Sequence, residues 1–412
     1  MEVRRVLDVL ALITQAGLAG RKEVDLLHTF CKELAGHDLQ LTQGSVIVDT
    51  LHPVFEGRAF RWRRDDPDYE PVVSYGPSNQ GGAAEESWRR SPFYHLVETG
   101  GAVVRRRIAT EPLDFPILND LRDAGNTDFI ALIHRFESDG TIGEMDCVYS
   151  SWVTDAPGGF TEEQAVALQQ LVATLALAVK SASLAQIAET LLETYLGRDA
   201  GRRVLSGRIA RGVADRIGAV IWYSDLRGFT SIAEAAAPEQ IIPFLNDYSE
   251  AVITSIQEAG GDVLKLIGDG ILAIFNAEDP ASACSCALSA ERLMRERVAA
   301  LRAERQESGL PATQPYLGLH IGEVFYGNIG SRDRLDFTVV GPAVNETSRI
   351  AALCRSVEKD VLVSAAFAQA CSPQQRNCLV SVGRYALRGI DRPRNLFTLD
   401  KEWIAPAEHS PG

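Results

Sequence analysis

Asp262-Val263-Leu264-Lys265-Leu266-Ile267-Gly268-Asp269-Gly270-Ile271-Leu272-Ala273-Ile274-Phe275 is two apolar runs joined by an acid between two glycines. Apolar runs of this length on either side of Gly-Asp-Gly spell two buried strands and a tight hairpin turn. Working outward, 217–223 is a further apolar, strand-like run, and helical patterns cover 238–258 and 280–304. Segments 316–320 and 324–329 are expected to form a second hairpin, followed by a strand at 337–340, a helix over 344–353 and a strand at 362–364. A last hairpin pairs 379–387 with 396–399. Strand, helix, hairpin, helix, strand is the ferredoxin-like or palm order, an α+β fold.

Upstream, the pattern is also α/β. A helix is expected over 3–34, strands at 45–49 and 57–64, and a loop over 67–86. A helix at 92–98, a strand at 102–107 and a helix at 115–122 follow. Segments 129–136 and 144–153 alternate as an antiparallel pair joined by Ser138, Asp139 and Gly140. Arg4 and Arg5 precede an apolar stretch, but Asp8 interrupts it, and Val6, Leu10 and Ile13 recur at helical spacing, so an amphipathic helix is expected there. Thr161 with Gln164 makes a capping box that opens a long helix. Leu168, Leu171, Leu175 and Ala178, then Leu184, Ile187 and Leu191, form a heptad-like seam that predicts pairing with a second chain, most of all beyond Lys180. Gly197 and Gly201 are expected to break the helix.

The chain has 412 residues, 46% hydrophobic and 23% charged, which predicts two or three globular domains. A net charge of −14 argues against nucleic acid as a partner, since phosphates would be repelled. No uninterrupted apolar run approaches the roughly 20 residues that span a bilayer. The seven cysteines fit no zinc spacing and read as reduced thiols of a cytoplasmic protein.

Two carboxylates stand out. Asp225 follows the 217–223 strand directly, and Asp269 sits at the hairpin tip. Either alone is an ordinary turn residue. Side by side they could hold two divalent ions about 4 Å apart, as phosphoryl transfer uses. Gly228 allows a tight turn after Asp225. Asn345 and Arg349, four residues apart on a helix, project from one face, offering an amide and a cationic fork.

Segments 224–230 (Ser-Asp-Leu-Arg-Gly-Phe-Thr), 265–270 (Lys-Leu-Ile-Gly-Asp-Gly), 327–330 (Gly-Asn-Ile-Gly) and 338–349 (Thr-Val-Val-Gly-Pro-Ala-Val-Asn-Glu-Thr-Ser-Arg) together resemble the class III nucleotidyl cyclases over about 219–399. The resemblance implies that Asp225 and Asp269 bind Mg²⁺ or Mn²⁺, two ions per site. It implies that Lys265 and Thr338 select adenine, that Asn345 and Arg349 orient the ribose and stabilise the transition state, and that Phe229 and Thr230 adjoin the substrate. It also implies a head-to-tail homodimer acting on ATP, with each site shared between chains. The Thr form is similar to class IIIb, some of whose members respond to bicarbonate. Two positions depart from the pattern. Tyr316 stands where many members carry a basic residue, and Arg388 is the nearest basic residue to a phosphate-binding Lys whose place Ile390 takes.

The N-terminal half more loosely resembles a GAF sensor domain. The expected organisation is a GAF-like sensor over 1–180 for a small-molecule or protein signal, a helical coiled-coil linker over 181–215, a palm cyclase domain over 216–402 and a tail over 403–412. The expected function is a regulated adenylate cyclase without a membrane span. The alternatives are a non-catalytic nucleotide receptor on the same fold and a cyclase for another base.

Overall fold

A computed structural model describes residues 2–35, 39–66, 69–77, 82–137, 142–143 and 145–400. The turn at Ser138, Asp139 and Gly140 and the tail over 403–412 lie outside them. The chain divides into two compact units, Met1–Leu191 and Leu192–Gly412.

In the N-terminal unit, helices α1 (Val3–Leu18) and α2 (Glu23–Ala35) replace the single helix expected over 3–34. Gly20, in the left-handed region at φ 67°, makes the break. Strands β1 (Leu41–Asp49), β2 (Gly57–Arg63) and β3 (Val72–Tyr75) come next. β3 and helix α3 (Ala83–Arg89) fall where a loop was expected. Helix α4 (Pro92–Thr99), strand β4 (Val103–Arg107), helix α5 (Pro116–Asp123) and strands β5 (Asp128–Arg135) and β6 (Cys147–Thr154) complete the sheet. It is antiparallel throughout, in the order β3-β2-β1-β6-β5-β4. Leu26, Phe30, Ile13 and Trp152 anchor the core on one face, and Phe93, Leu118, Phe129 and Tyr149 the core on the other.

The long helix α6 runs Glu162–Leu196. Its capping box forms: the Thr161 N–H donates to Gln164 Oε1 at 2.8 Å and the Gln164 N–H to Thr161 Oγ1 at 3.2 Å. α6 is long and apolar enough to cross a bilayer by length and composition, a property that a search for uninterrupted apolar runs misses. Leu168, Leu171, Val172, Leu175 and Val179 are buried in the unit's own core. The seam beyond Lys180 also packs there, so the unit extends further along α6 than the expected boundary at 180. Ile187 is buried, Leu184 and Leu191 lie against the same cluster, and buried Ser183 donates to Glu23 Oε1 at 2.9 Å.

The C-terminal unit begins with the end of α6 and helix α7 (Arg198–Leu205). Gly197 breaks the helix, but Gly201 does not. It sits within α7, where an added Cβ would come 3.0 Å from the backbone of Leu192 and Glu193. Leu196, Ala200 and Val204 pack on Ile221 and Tyr326 of the sheet, so this stretch belongs to the unit rather than to a separate linker. Strand β7 (Ala214–Leu226), helices α8 (Phe229–Ala235) and α9 (Pro238–Glu258), strands β8 (Asp262–Ile267) and β9 (Gly270–Asn276), and helix α10 (Pro280–Glu307) follow. Strand β10 (Pro315–Gly330) is continuous, so the hairpin expected at 316–329 does not exist. The hairpin it does form is with β11 (Leu335–Val340). Helix α11 (Pro342–Val357), strand β12 (Val361–Ser364), helices α12 (Ala365–Ala370) and α13 (Pro373–Arg376), and strands β13 (Leu379–Tyr385) and β14 (Arg394–Leu399) end the unit. The sheet order is β13-β14-β12-β10-β7-β9-β8, with β11 on β10. Its β10-β7-β9-β8 portion is the antiparallel ferredoxin-like core.

The glycines of β10 explain the missing turn. A Cβ on Gly318 would lie 2.7 Å from the Thr347 carbonyl and the Ala351 nitrogen, and one on Gly322 would lie 2.8 Å from Ala343 Cβ. These glycines provide a flat bed for α11. A Gly318→Val substitution is therefore expected to lower stability by about 1–3 kcal/mol through overpacking. Denaturant unfolding checks this, and an unchanged midpoint would refute the close-packing argument.

Candidate active site

β7 delivers Asp225 to the end of the central strand, opposite Tyr316 of β10. Buried Trp222, whose indole N–H donates to Ser224 Oγ at 3.1 Å, fixes the strand just before it. The β8–β9 turn brings in Asp269. Gly268 takes the left-handed conformation at φ 63°. Gly270 approaches β7 so closely that an added Cβ would meet the Ser224 carbonyl at 3.1 Å. The Leu226 N–H donates to Asp269 Oδ2 at 3.2 Å. Burial and then the neighbouring Asp269 carboxylate push Asp225 up to about 6. Burial and the same two charges push the Tyr223 phenol up.

The chain beyond Asp225 is pinned. Thr313 Oγ1 donates to the Arg227 carbonyl at 2.5 Å, and the Arg227 N–H donates to the Gln314 carbonyl at 3.0 Å. Gly228, at φ 71°, turns into α8. Phe229 stacks on Phe244 with ring centroids 6.1 Å apart, which makes it an anchor of α8, whereas Thr230 is exposed. The Arg227 guanidinium lies over the Tyr316 ring, 5.8 Å from its centroid. A cation therefore stands beside the position where the sequence lacks one, brought there by the pairing of β7 with β10.

Two neighbouring carboxylates are hard oxygen donors of the kind a divalent cation takes. Among the described residues no cluster of three or more His, Cys, Asp or Glu side chains could hold a metal. A site with two carboxylates leaves positions for water and phosphate oxygens, as Mg²⁺ prefers.

α11 carries Asn345 and Arg349 one turn apart, and both line a cavity of about 740 Å³ with Glu346, Gly389, Ile390 and Arg392. Gly341, at φ 153°, and Pro342 start this helix. Gly389, at φ 72°, lets its loop pass over the Arg349 guanidinium. Arg388 is exposed and does not line the cavity, whereas Arg392 does. None of Asp225, Asp269, Lys265 and Thr338 lines it either. Lys265 on β8 is bonded to Asp336 on β11, two residues from buried Thr338. The sequence reading missed Asp336. Asn328 of the Gly-Asn-Ile-Gly segment is buried, and its amide donates to the Arg208 carbonyl at 2.7 Å, tying down the chain ahead of β7.

Residues 214–400 match the family described as the adenylate and guanylate cyclase catalytic domain. The match lies within the C-terminal unit and takes in Asp225, Asp269, Asn345 and Arg349. The chain is similar to an adenylate cyclase of Anabaena cylindrica, 38% identical over 157 residues, which are 37% of this chain and 30% of that protein. It is also similar to adenylate cyclase 1 of Rhizobium meliloti, 28% identical over 183 residues, 43% of this chain and 27% of that protein. The chain thus spans less than a third of the length of either. A solved adenylyl cyclase from P. aeruginosa aligns with a TM-score of 0.42 at 23% identity, over 48% of this chain and 100% of that one.

A raised carboxyl pKa favours the folded state below the ordinary carboxylate range. In metal-free protein that contribution is lost as pH rises toward about 6. Asp269→Asn is expected to return Asp225 toward the ordinary value. Carboxyl ¹³C titration in the presence of a chelator checks this, and an unmoved midpoint near 6 would show that Asp269 is not a cause.

Proposed function

We propose that the protein is an adenylate cyclase that converts ATP into 3′,5′-cyclic AMP and pyrophosphate. The observation that carries this reading is the abutting Asp225–Asp269 pair, whose mutual repulsion marks a place for cations. Mg²⁺ or Mn²⁺ bound there would supply charge neutralisation for the triphosphate and the attacking oxygen. Lys265 donates to adenine N1, and the Thr338 hydroxyl accepts from the N6 amine. Asn345 orients the ribose so that its 3′-oxygen lies in line with the α-phosphorus. The O3′–Pα bond forms as the 3′-hydroxyl gives up its proton to solvent water and the bond from Pα to the leaving pyrophosphate oxygen breaks, and the Arg349 guanidinium balances the charge developing there.

The site is completed by a second copy of the chain. Within one chain the acidic pair lies outside the cavity of Asn345 and Arg349. Leu266, Ile267, Phe325, Ile329, Leu335 and Val340, all on β8, β10 and β11, are exposed apolar residues that a head-to-tail partner would cover.

The assay is the full chain with Mn²⁺ or Mg²⁺ and each nucleoside triphosphate in turn. Cyclic AMP is expected, and preferential cyclic GMP would overturn the adenine assignment. Nucleotide binding without any cyclic product would favour a non-catalytic receptor. Asp225→Ala should abolish turnover, and Arg349→Ala should lower kcat on the order of 100- to 1,000-fold. Mixed Asp225→Ala and Arg349→Ala chains should regain roughly a quarter of wild-type activity, because half the dimers then hold one intact site. No recovery would refute the shared site.

The N-terminal unit is read as a GAF-like sensor for a small-molecule or protein signal. α6 leaves its core and runs without interruption to Leu196, so a turn or shift of α6 would move the start of the catalytic unit. Removing residues 1–191 is expected to change kcat, and equal activity and equal dimerisation in the two forms would count against regulation.

A further inference from the structure

We infer that Asp336 is the positioning residue that makes Lys265 selective for a 6-aminopurine, an inference that rests on reading Lys265 and Thr338 as the base-selecting pair. Lys265 and Asp336 are each about two-fifths exposed, and their side chains are bonded across β8 and β11. Asp336 and Thr338 are two apart on β11 and so point to the same face. Phe337 and Val339 between and beyond them point the other way, into the core. The ammonium, the carboxylate and the hydroxyl therefore share one face at the edge of the catalytic sheet.

The donor and acceptor inventory shows why Lys265 and Thr338 are not enough. An ammonium only donates, so it serves adenine N1 and guanine O6 equally well. A hydroxyl donates or accepts, so Thr338 can meet the adenine N6 amine or the guanine carbonyl by rotating its proton. Neither side chain rejects guanine. A carboxylate only accepts. Asp336 beside them disfavours a purine carrying a carbonyl oxygen at position 6 and favours one carrying an amine, which is discrimination by repulsion as well as attraction. The ion pair also holds the flexible lysine stem before the base arrives. That reduces the ordering cost of binding without touching the reacting phosphate.

The test compares full-length wild type, Asp336→Asn, Asp336→Glu, Lys265→Ala and the Lys265→Ala/Asp336→Asn double variant. Readouts are kcat and KM for ATP and GTP, equilibrium binding of N-methylanthraniloyl-labelled ATP and GTP, and a thermal unfolding check. Asp336→Asn should raise KM for ATP and cut the ATP-to-GTP preference by about tenfold each, with kcat within about twofold, as fits a half-exposed pair. Asp336→Glu should recover most of the preference. The double variant should be less selective than Lys265→Ala alone, because the Asp336 carboxylate also reads position 6 of the purine directly. An unchanged preference in folded Asp336→Asn, or a loss confined to kcat, overturns the proposal. Wild type that binds ATP selectively without cyclising it would defeat the catalytic reading, while the binding ratio of Asp336→Asn would still decide the role of Asp336. Wild type that prefers GTP would defeat both.

Discussion

Asp225 and Asp269 are two like charges held against each other at one end of a sheet, and the architecture of the C-terminal unit is organised around keeping them there. The pair is unfavourable on its own, as the lifted Asp225 pKa records. It persists because neither backbone can retreat. β7 is locked between β9 and β10, with Trp222 fully buried beneath it, and Gly270 brings β9 against the Ser224 carbonyl. The Leu226 N–H bonded to Asp269 supplies partial compensation. What remains uncompensated is the repulsion between the two carboxylates.

The hairpin that carries Asp269 was legible because an acid between two glycines, flanked by apolar runs, has few other solutions. The order of strands and helices around it was legible for the same reason. The glycines of β10 were not. Gly322 looks like a turn residue in sequence, yet it lies in an extended strand because α11 needs a surface without side chains. A glycine's two uses, turning and close approach, leave the same letter behind, and only the partner helix distinguishes them. Asp336 was missed for a related reason. Its meaning comes from Lys265, 71 residues away, through strand pairing that no local pattern encodes.

In the N-terminal unit, periodicity identified α6 but not how far along it the unit's own core extends. Leu184, Ile187 and Leu191 recur as a coiled-coil seam would, and the structure packs them on the unit's own core. A heptad pattern reports that a stripe is covered, not by which chain. The break at Gly20 and the short strand β3 escaped notice because a single glycine and four residues carry little periodic signal.

The net charge of −14 takes on local meaning from the same geometry. An acidic surface repels a triphosphate at long range, and screening confines that repulsion to about a Debye length. Inside that distance the cations are placed individually. Arg349 and Arg392 line one cavity, and Arg227 lies over Tyr316 beside Asp225. Arg227 and Arg392 stand close to the two positions where the motif lacks its usual basic residues. The chain thus presents positive charge beside Asp225 and beside Arg349 from side chains outside the expected phosphate-binding positions. Whole-chain charge cannot reveal that arrangement, because it depends on which few of the 41 basic residues face inward.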